Sequence, residues 1–365
     1  MIKIKTSKLK EMMNKSIKGA GSSTVVVLTS MLGIKVDNNR FRLITSDVNT
    51  TTSVITNDVE GDLDVSVNVD IFSKLVGKLT SDETKLSVED NTLVVKANGT
   101  YKIPLIVDEN GIVSIDEPND IQGEESEIPL SDIKSIRNFS KISLSENSDY
   151  SSEDYLFSYY CGLEDTTITN GFVATFNKKS IIKDNPMLIP TKVIDLICLS
   201  SDDKVKLIKS NNSLQFVSSD IIITSKGLHN SNEYPITNLK SVLDTEFKYS
   251  GKIDCDDYIS TIDRLRLFID PYDDDELVFD FYCNFVKITN KNNSSYEELK
   301  LQTNEDTENY LEFSCKVNAT EFIKALSSVP ASEVDIYYGN DSVIKIDCGS
   351  IVHIISLSQD DEEEE

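Results

Sequence analysis

The chain contains no tryptophan and only two histidines, His229 and His353. Two imidazoles so far apart in sequence argue against a zinc site built on histidine, and no serine, histidine and acid set can be arranged around them. The six cysteines (Cys161, Cys198, Cys255, Cys283, Cys315 and Cys348) form no CxxC pair. Spread over 365 residues they suggest no disulfide scaffold, so we read them as reduced, mostly buried thiols of a cytoplasmic protein. No apolar run reaches the length needed to cross a membrane. Met1-Ile2-Lys3-Ile4-Lys5 alternates polar and apolar residues and reads as a first strand rather than a secretory signal.

Positive charge is also scarce. Lys and Arg number 36 against 62 Asp and Glu, for a net charge of -26. Six negatives lie in the terminal run Asp360, Asp361 and Glu362 to Glu365. Such a balance argues against wrapping nucleic acid around the outside of the protein. It leaves open a surface on which the few cations are gathered, because distribution decides binding rather than the sum.

The hydrophobic share, 39%, is enough for packed cores. Its arrangement is repetitive. Three segments, beginning at Val67, Ile189 and Val317, each read as a helix followed by two strands. Asn91, Asn212 and Asn340 occupy matching polar turns between alternating apolar segments, as hairpins require. The helices carry apolar stripes at spacings of three and four: Ile71, Phe72, Leu75, Val76 and Leu79; Val193, Ile194 and Ile197; Phe322, Ile323 and Leu326. A second helix opens each unit, marked by Leu9, Met13 and Ile17, then Ile133, Ile136 and Phe139, then Ile259, Ile262 and Ile269.

The expected fold is therefore α+β: three repeated domains, each with two helices packed on antiparallel sheets. The boundaries are 1–120, 121–245 and 246–359, followed by the acidic tail 360–365. Acidic Asp108–Glu127, with Asn110-Gly111 and Pro118, reads as one connector, and 230–245, with Pro235, as the other.

The helices carry much of the positive charge. Lys8, Lys15 and Lys18 share a face of the first, and Lys74 and Lys78 lie one turn apart on the second. Lys134, Arg137 and Lys141 follow on the third, and Lys192, Arg264 and Lys324 give one position to each remaining helix. Side by side, such helices would make a basic wall that attracts phosphates without reading bases.

At this point the sequence resembles the bacterial-type beta sliding clamp, the beta subunit of DNA polymerase III. The motifs are Asn39 to Asp47, the helix-hairpin segment from Val67, and Thr169-Asn170-Gly171-Phe172-Val173-Ala174. They continue with Ile189-Pro190-Thr191-Lys192, Thr224-Ser225-Lys226, Tyr234-Pro235 and Phe313 to Leu326. Each is weak alone, but their order and spacing span the chain. The resemblance implies a head-to-tail homodimer forming a six-domain ring around double-stranded DNA, without sequence specificity and with the basic helices inside. It implies no catalytic, metal or cofactor chemistry. The implied partners are DNA polymerase, an ATP-driven clamp loader and other replication and repair proteins carrying short motifs.

The resemblance also implies a groove for partner peptides, made by Thr169, Gly171, Phe172, Val173, Ala174, Pro235, Leu239, His353, Ile354, Ile355, Ser356 and Leu357. Here the chain departs from the family. Phe172 and Val173 replace histidine and arginine, Leu239 an arginine, and Ser356 and Leu357 a proline and a methionine. The groove is expected to be more apolar and less basic, suiting aromatic or aliphatic anchors. Together with the residue usage, the unusual groove and tail are consistent with a bacteriophage-encoded member.

Two other readings are weaker. Asp270 to Glu276 lacks the glycine and terminal glutamate of a calcium loop, and Gly19 to Thr24 lacks the lysine of a phosphate loop. A clamp-fold adaptor that no longer encircles DNA is the other alternative.

Overall fold

The computed structural model describes residues 1–21, 27–109, 111–118, 120–141, 154–269, 275–290, 294–303 and 311–358. The acidic tail, Asp270 to Asp274 of the acidic loop, and Ser22 to Thr24 of the glycine-rich segment lie outside the described residues. Seven α-helices are described: α1 (Thr6–Ser16), α2 (Val69–Lys78), α3 (Leu130–Phe139), α4 (Thr191–Ile197), α5 (Ile236–Leu243), α6 (Cys255–Arg266) and α7 (Ala319–Ser328).

Local chemistry explains where several begin. The side chain of Asn68 accepts from the Ile71 N–H at 3.0 Å, Asn318 from Glu321 at 3.0 Å and Asp254 from Asp257 at 3.0 Å. Each satisfies an amide that the first helical turn leaves unpaired. The hairpin turns follow the asparagines: Asp90 and Asn91 take φ of 47° and 56°, and the Asn340 side chain accepts from the Ser342 and Val343 amides. Positive φ is tolerated best by Gly, Asn and Asp, which is why these residues mark two-residue hairpins.

The chain divides into two compact units, Met1–Ile133 with Lys192–His229, and Lys134–Thr191 with Asn230–Glu365. In the first, eight antiparallel strands form one sheet. Across it run Glu124–Pro129, Lys204–Ser210, Ser213–Val217, Ile221–Lys226, Thr50–Asn57, Arg40–Ser46, Met31–Asp37 and Leu63–Asn68. Strand 221–226 pairs with 50–57, Ile223 opposite Thr52, so strands from two successive repeats are joined. A four-stranded sheet, Ile2–Lys5, Glu83–Glu89, Thr92–Lys96 and Thr100–Pro104, completes this unit's large sheets. α1 packs beside α2, and Leu9, Met12 and Met13 on the first and Phe72 and Val76 on the second are buried.

The second unit follows the same plan. Its eight strands run Met187–Pro190, Ser158–Cys161, Thr166–Thr169, Val173–Asn177, Ile351–Ser356, Val343–Asp347, Glu333–Tyr338 and Tyr249–Asp254. Strand 173–177 pairs with 351–356, again joining two repeats. Its four-stranded sheet runs Tyr296–Lys300, Phe285–Asn290, Glu276–Tyr282 and Leu311–Asn318. α6 and α7 lie side by side over a core rich in aromatic rings, where Phe281 stacks on Tyr338 at 4.2 Å and Phe279 meets Phe322 at 5.0 Å.

Several sequence expectations shift in detail. Ile17 falls in a 3-10 turn after α1 and is exposed, while Met12 takes the buried place. Ile71, assigned to the apolar stripe of α2, is also exposed. Ile269 lies beyond the end of α6, and Tyr258 and Leu265 are buried on that helix beside Ile262. The first connector yields Glu124–Pro129 to a strand and buries Ile115 against Met31 and Ile44. The second connector contains α5. Ile236, Leu239, Val242 and Leu243 repeat at helical spacing directly after Pro235, a signal that could have revealed it.

Candidate nucleic-acid interface and partner groove

The eleven cations assigned to the helices meet different surroundings. Lys18, Lys74, Lys78, Lys134 and Lys141 are exposed, and no carboxylate among the described residues pairs with them. Lys8 is paired with Glu11 at 3.0 Å, Lys324 lies 3.6 Å from Glu321, and Arg137 is half-buried on α3.

Three others are held more firmly. Lys15 reaches Asp220 at 2.8 Å, Glu11 at 3.2 Å and the Ser201 hydroxyl at 3.1 Å, with its side chain only 14% exposed. Burial pushes the Lys15 ammonium down, but the bonds to Asp220 and Glu11 outweigh it and leave its pKa raised. Asp220 answers in the opposite direction: burial acts to raise it, while Lys15 and the Ser201 and Ser218 bonds hold it below the usual carboxylate range. Lys192 donates to Asp47 at 2.6 Å and to the carbonyls of Gly19 and Ala20. Arg264 grips Glu297 through two bonds of 2.8 and 2.6 Å, which lower the glutamate and raise the guanidinium.

The residues assigned to the groove divide between the two faces of one sheet. Facing residues of paired strands point the same way, and neighbours along a strand point oppositely. Ala174 lies opposite Ile354, and Phe176 opposite Val352. Together with Val343 they form one apolar face, against which Leu239, Val242, Leu243 and Phe247 pack from the α5 segment. Val173, Ile355 and Leu357 belong to the large core with α6 and α7.

His353 also lies on the core side and is fully buried. Its Nδ1 lies 3.0 Å from the Thr175 hydroxyl and its Nε2 2.8 Å from Ser328 on α7. Ser328 also donates to the Ala325 carbonyl at 2.8 Å. The hydroxyl therefore accepts from Nε2–H, and Thr175 donates to Nδ1. A neutral imidazole satisfies both contacts, and burial lowers the pKa of His353 to about 4.

Phe172 is displayed by a tightly bonded turn. Thr169 Oγ1 accepts from Gly171 at 3.1 Å and donates to the Val173 carbonyl at 2.7 Å, while Asn170 Oδ1 accepts from the amides of Phe172 and Val173. Gly171 takes φ of 92°, a conformation that favours glycine. The Phe172 carbonyl receives the Ser356 amide at 2.9 Å, and the ring remains 72% exposed. Pro235 is half-buried at the start of α5. Sequence reasoning missed Tyr160, which stacks on Tyr234 at 5.5 Å, and the neighbouring Lys240–Asp165 ion pair at 3.0 Å. Alternation alone could not choose Tyr160 over Tyr159, which is buried.

This arrangement matches solved structures along its whole length. DNA polymerase III beta subunit from Thermotoga maritima superposes with a TM-score of 0.83 at 14% identity, covering 98% of this chain and 100% of the other. The DNA polymerase sliding clamp from Bacillus subtilis gives 0.82 at 14% identity, covering 98% of both chains. The DNA polymerase III subunit beta from Borrelia burgdorferi gives 0.81 at 17% identity and the same coverage. The chain has the sliding-clamp fold. No protein-family model matches it, and no curated protein matches it in sequence. Because the clamp fold is shared at so low an identity, the likeness speaks for architecture, and function must be argued from the sites.

Three further observations bear on chemistry. Among the described residues, no group of three or more His, Cys, Asp or Glu side chains could hold a metal ion. Asp275, at the described end of the acidic loop, accepts from Arg266 and Thr320. All six cysteines are free, and burial raises the thiols of Cys161 and Cys255 to about 12 and about 11. Among the described residues no helix is long and apolar enough to cross a membrane.

Proposed function

We propose that the chain is one subunit of a ring-shaped sliding clamp that encircles duplex DNA and tethers a polymerase. The three domains would be 1–120, 121–245 and 246–359, and two chains would join head to tail. The observation that carries this reading is a pattern of strand pairing. Within the chain, the last strand of one repeat pairs with an earlier strand of the repeat before it: 221–226 with 50–57, and 351–356 with 173–177. One strand of each class is left over. Thr100–Pro104 ends the first unit's four-stranded sheet, and Tyr296–Lys300 ends the second's. Among the described residues neither outer edge has a partner strand.

Pairing the first edge of one chain with the second edge of another repeats a junction the chain already makes twice. Such a contact is heterologous and closes into a ring if its rotation permits. Exposed apolar residues accompany both edges. Leu267 and Phe268, 80% and 59% exposed, follow α6, which is tied to the 296–300 strand by the Arg264–Glu297 pair. Tyr101 is exposed on the other edge, and Ile71 is exposed on α2. Glu298, exposed on one strand, complements Lys102 on the other. A bare strand edge beside exposed apolar residues is an aggregation hazard unless something covers it.

Retention on DNA would be topological, so weak phosphate contacts suffice and permit sliding. A tethered polymerase would gain local concentration at the primer end. Exposed Phe172, with half-buried Leu239 and Pro235, would receive apolar peptide anchors from the polymerase, the clamp loader and other partners. Sedimentation tests the assembly. The chain should run at twice its 40.8 kDa mass, and Leu267→Asp with Phe268→Asp should run as a monomer. A monomeric unmodified chain at micromolar concentration, or equal retention on circular and linear DNA, would favour the adaptor reading.

A further inference from the structure

Eight of the eleven helix cations form two contrasting groups, and the difference is one of partners rather than of position in sequence; Lys8 and Lys324 lie between them, each beside a glutamate of its own helix. Lys15 and Lys192 are each fixed by a carboxylate far away in the chain, Asp220 and Asp47, at 2.8 and 2.6 Å. Lys15 is largely covered, and Lys192 is also bonded to two backbone carbonyls. Arg264 donates to Glu297 through Nε and Nη2 and to Thr261 through Nη2. A lysine already neutralised at this distance offers a phosphate little net charge, and turning to meet one would leave a part-buried carboxylate unpaired. By contrast, Lys18, Lys74, Lys78, Lys134 and Lys141 are exposed and have no carboxylate within ion-pair distance among the described residues.

We infer that contact with the DNA backbone is carried by Lys18, Lys74, Lys78, Lys134 and Lys141, while Lys15, Lys192 and Arg264 act as internal struts that join elements of the fold. This rests on the clamp reading and refines it. Sequence alone assigns all eleven cations to one wall. The ion pairs remove Lys15, Lys192 and Arg264 from it and leave a sparser set of phosphate contacts, which suits low-friction sliding.

The test is the salt dependence of binding to a short labelled duplex, measured by anisotropy on the full-length assembly. Each phosphate contact contributes roughly 0.9 to the slope of log K against log salt. Lys74→Gln with Lys78→Gln, both at exposed sites, should flatten the slope by about 1 or more. Asp47→Asn with Asp220→Asn keeps an acceptor oxygen at each position but frees Lys192 and Lys15. With two cations released at roughly 0.9 each, that variant should steepen the slope by about 2. Circular dichroism checks that both variants retain the fold. An unchanged slope in Lys74→Gln/Lys78→Gln overturns the assignment, as does a loss of equal size in Lys15→Gln/Lys192→Gln. If the unmodified assembly shows no salt-dependent binding at all, the DNA reading itself falls, and the assignment with it.

Discussion

His353 makes stability depend on pH in a way that can be calculated. Its imidazole is fully buried between Thr175 and Ser328 and its pKa is lowered to about 4, against 6.5 for the free side chain. The folded state therefore needs the neutral ring, whereas the unfolded chain takes up a proton below its ordinary pKa. The contribution to stability is fully present above pH 6.5 and is lost as pH falls from there toward 4. At pH 5 the loss amounts to about 2 kcal/mol. The strand that carries His353 also pairs with 173–177 beneath Phe172, so the weakened element is the one that supports the groove. Urea unfolding should be followed by far-UV circular dichroism at pH 7.5 and 5, since the chain has no tryptophan. His353→Gln removes the titrating group, and its own packing cost does not vary with pH. The unmodified chain should lose about 2 kcal/mol more than the variant on acidification. Equal losses in both would refute the argument, and so would an imidazole NMR signal, absent from the variant, that titrates above pH 6.

Other outcomes follow from the same geometry. Phe322→Ala empties a fully buried ring site against Phe279 and should cost about 3–5 kcal/mol, read from urea unfolding. Asn318→Ala removes the cap of α7 and should cost about 1 kcal/mol by the same assay. Gly339 has φ of 85°, and a Cβ there would lie 2.8 Å from the Tyr249 ring. Gly339→Ala should therefore destabilise the fold by about 1–3 kcal/mol; an unchanged urea midpoint would show that the turn relaxes freely. Phe172→Ala should weaken an aromatic-anchored partner peptide by roughly tenfold or more in calorimetry, with unfolding unchanged, because the ring is exposed.

Much of the architecture was legible in the residues themselves. Apolar spacing of three and four placed the repeat helices, alternation placed the hairpins, and Asn91, Asn212 and Asn340 marked their turns, because these are local preferences of a few bonded neighbours. The α5 helix was legible too, in Ile236, Leu239, Val242 and Leu243, but lay hidden behind the turn signal of Pro235. What no local pattern could decide was pairing at long range. That Asp220 neutralises Lys15 and Asp47 neutralises Lys192 depends on contacts between residues 205 and 145 positions apart. That Ala174 and Ile354 face α5 while Val173, His353 and Ile355 face the core depends on the register of two strands from different repeats. Sequence determined which segments become helix and strand. Only tertiary structure decided which charges remain available and which strand edges remain open, because both depend on what the folded chain brings alongside them.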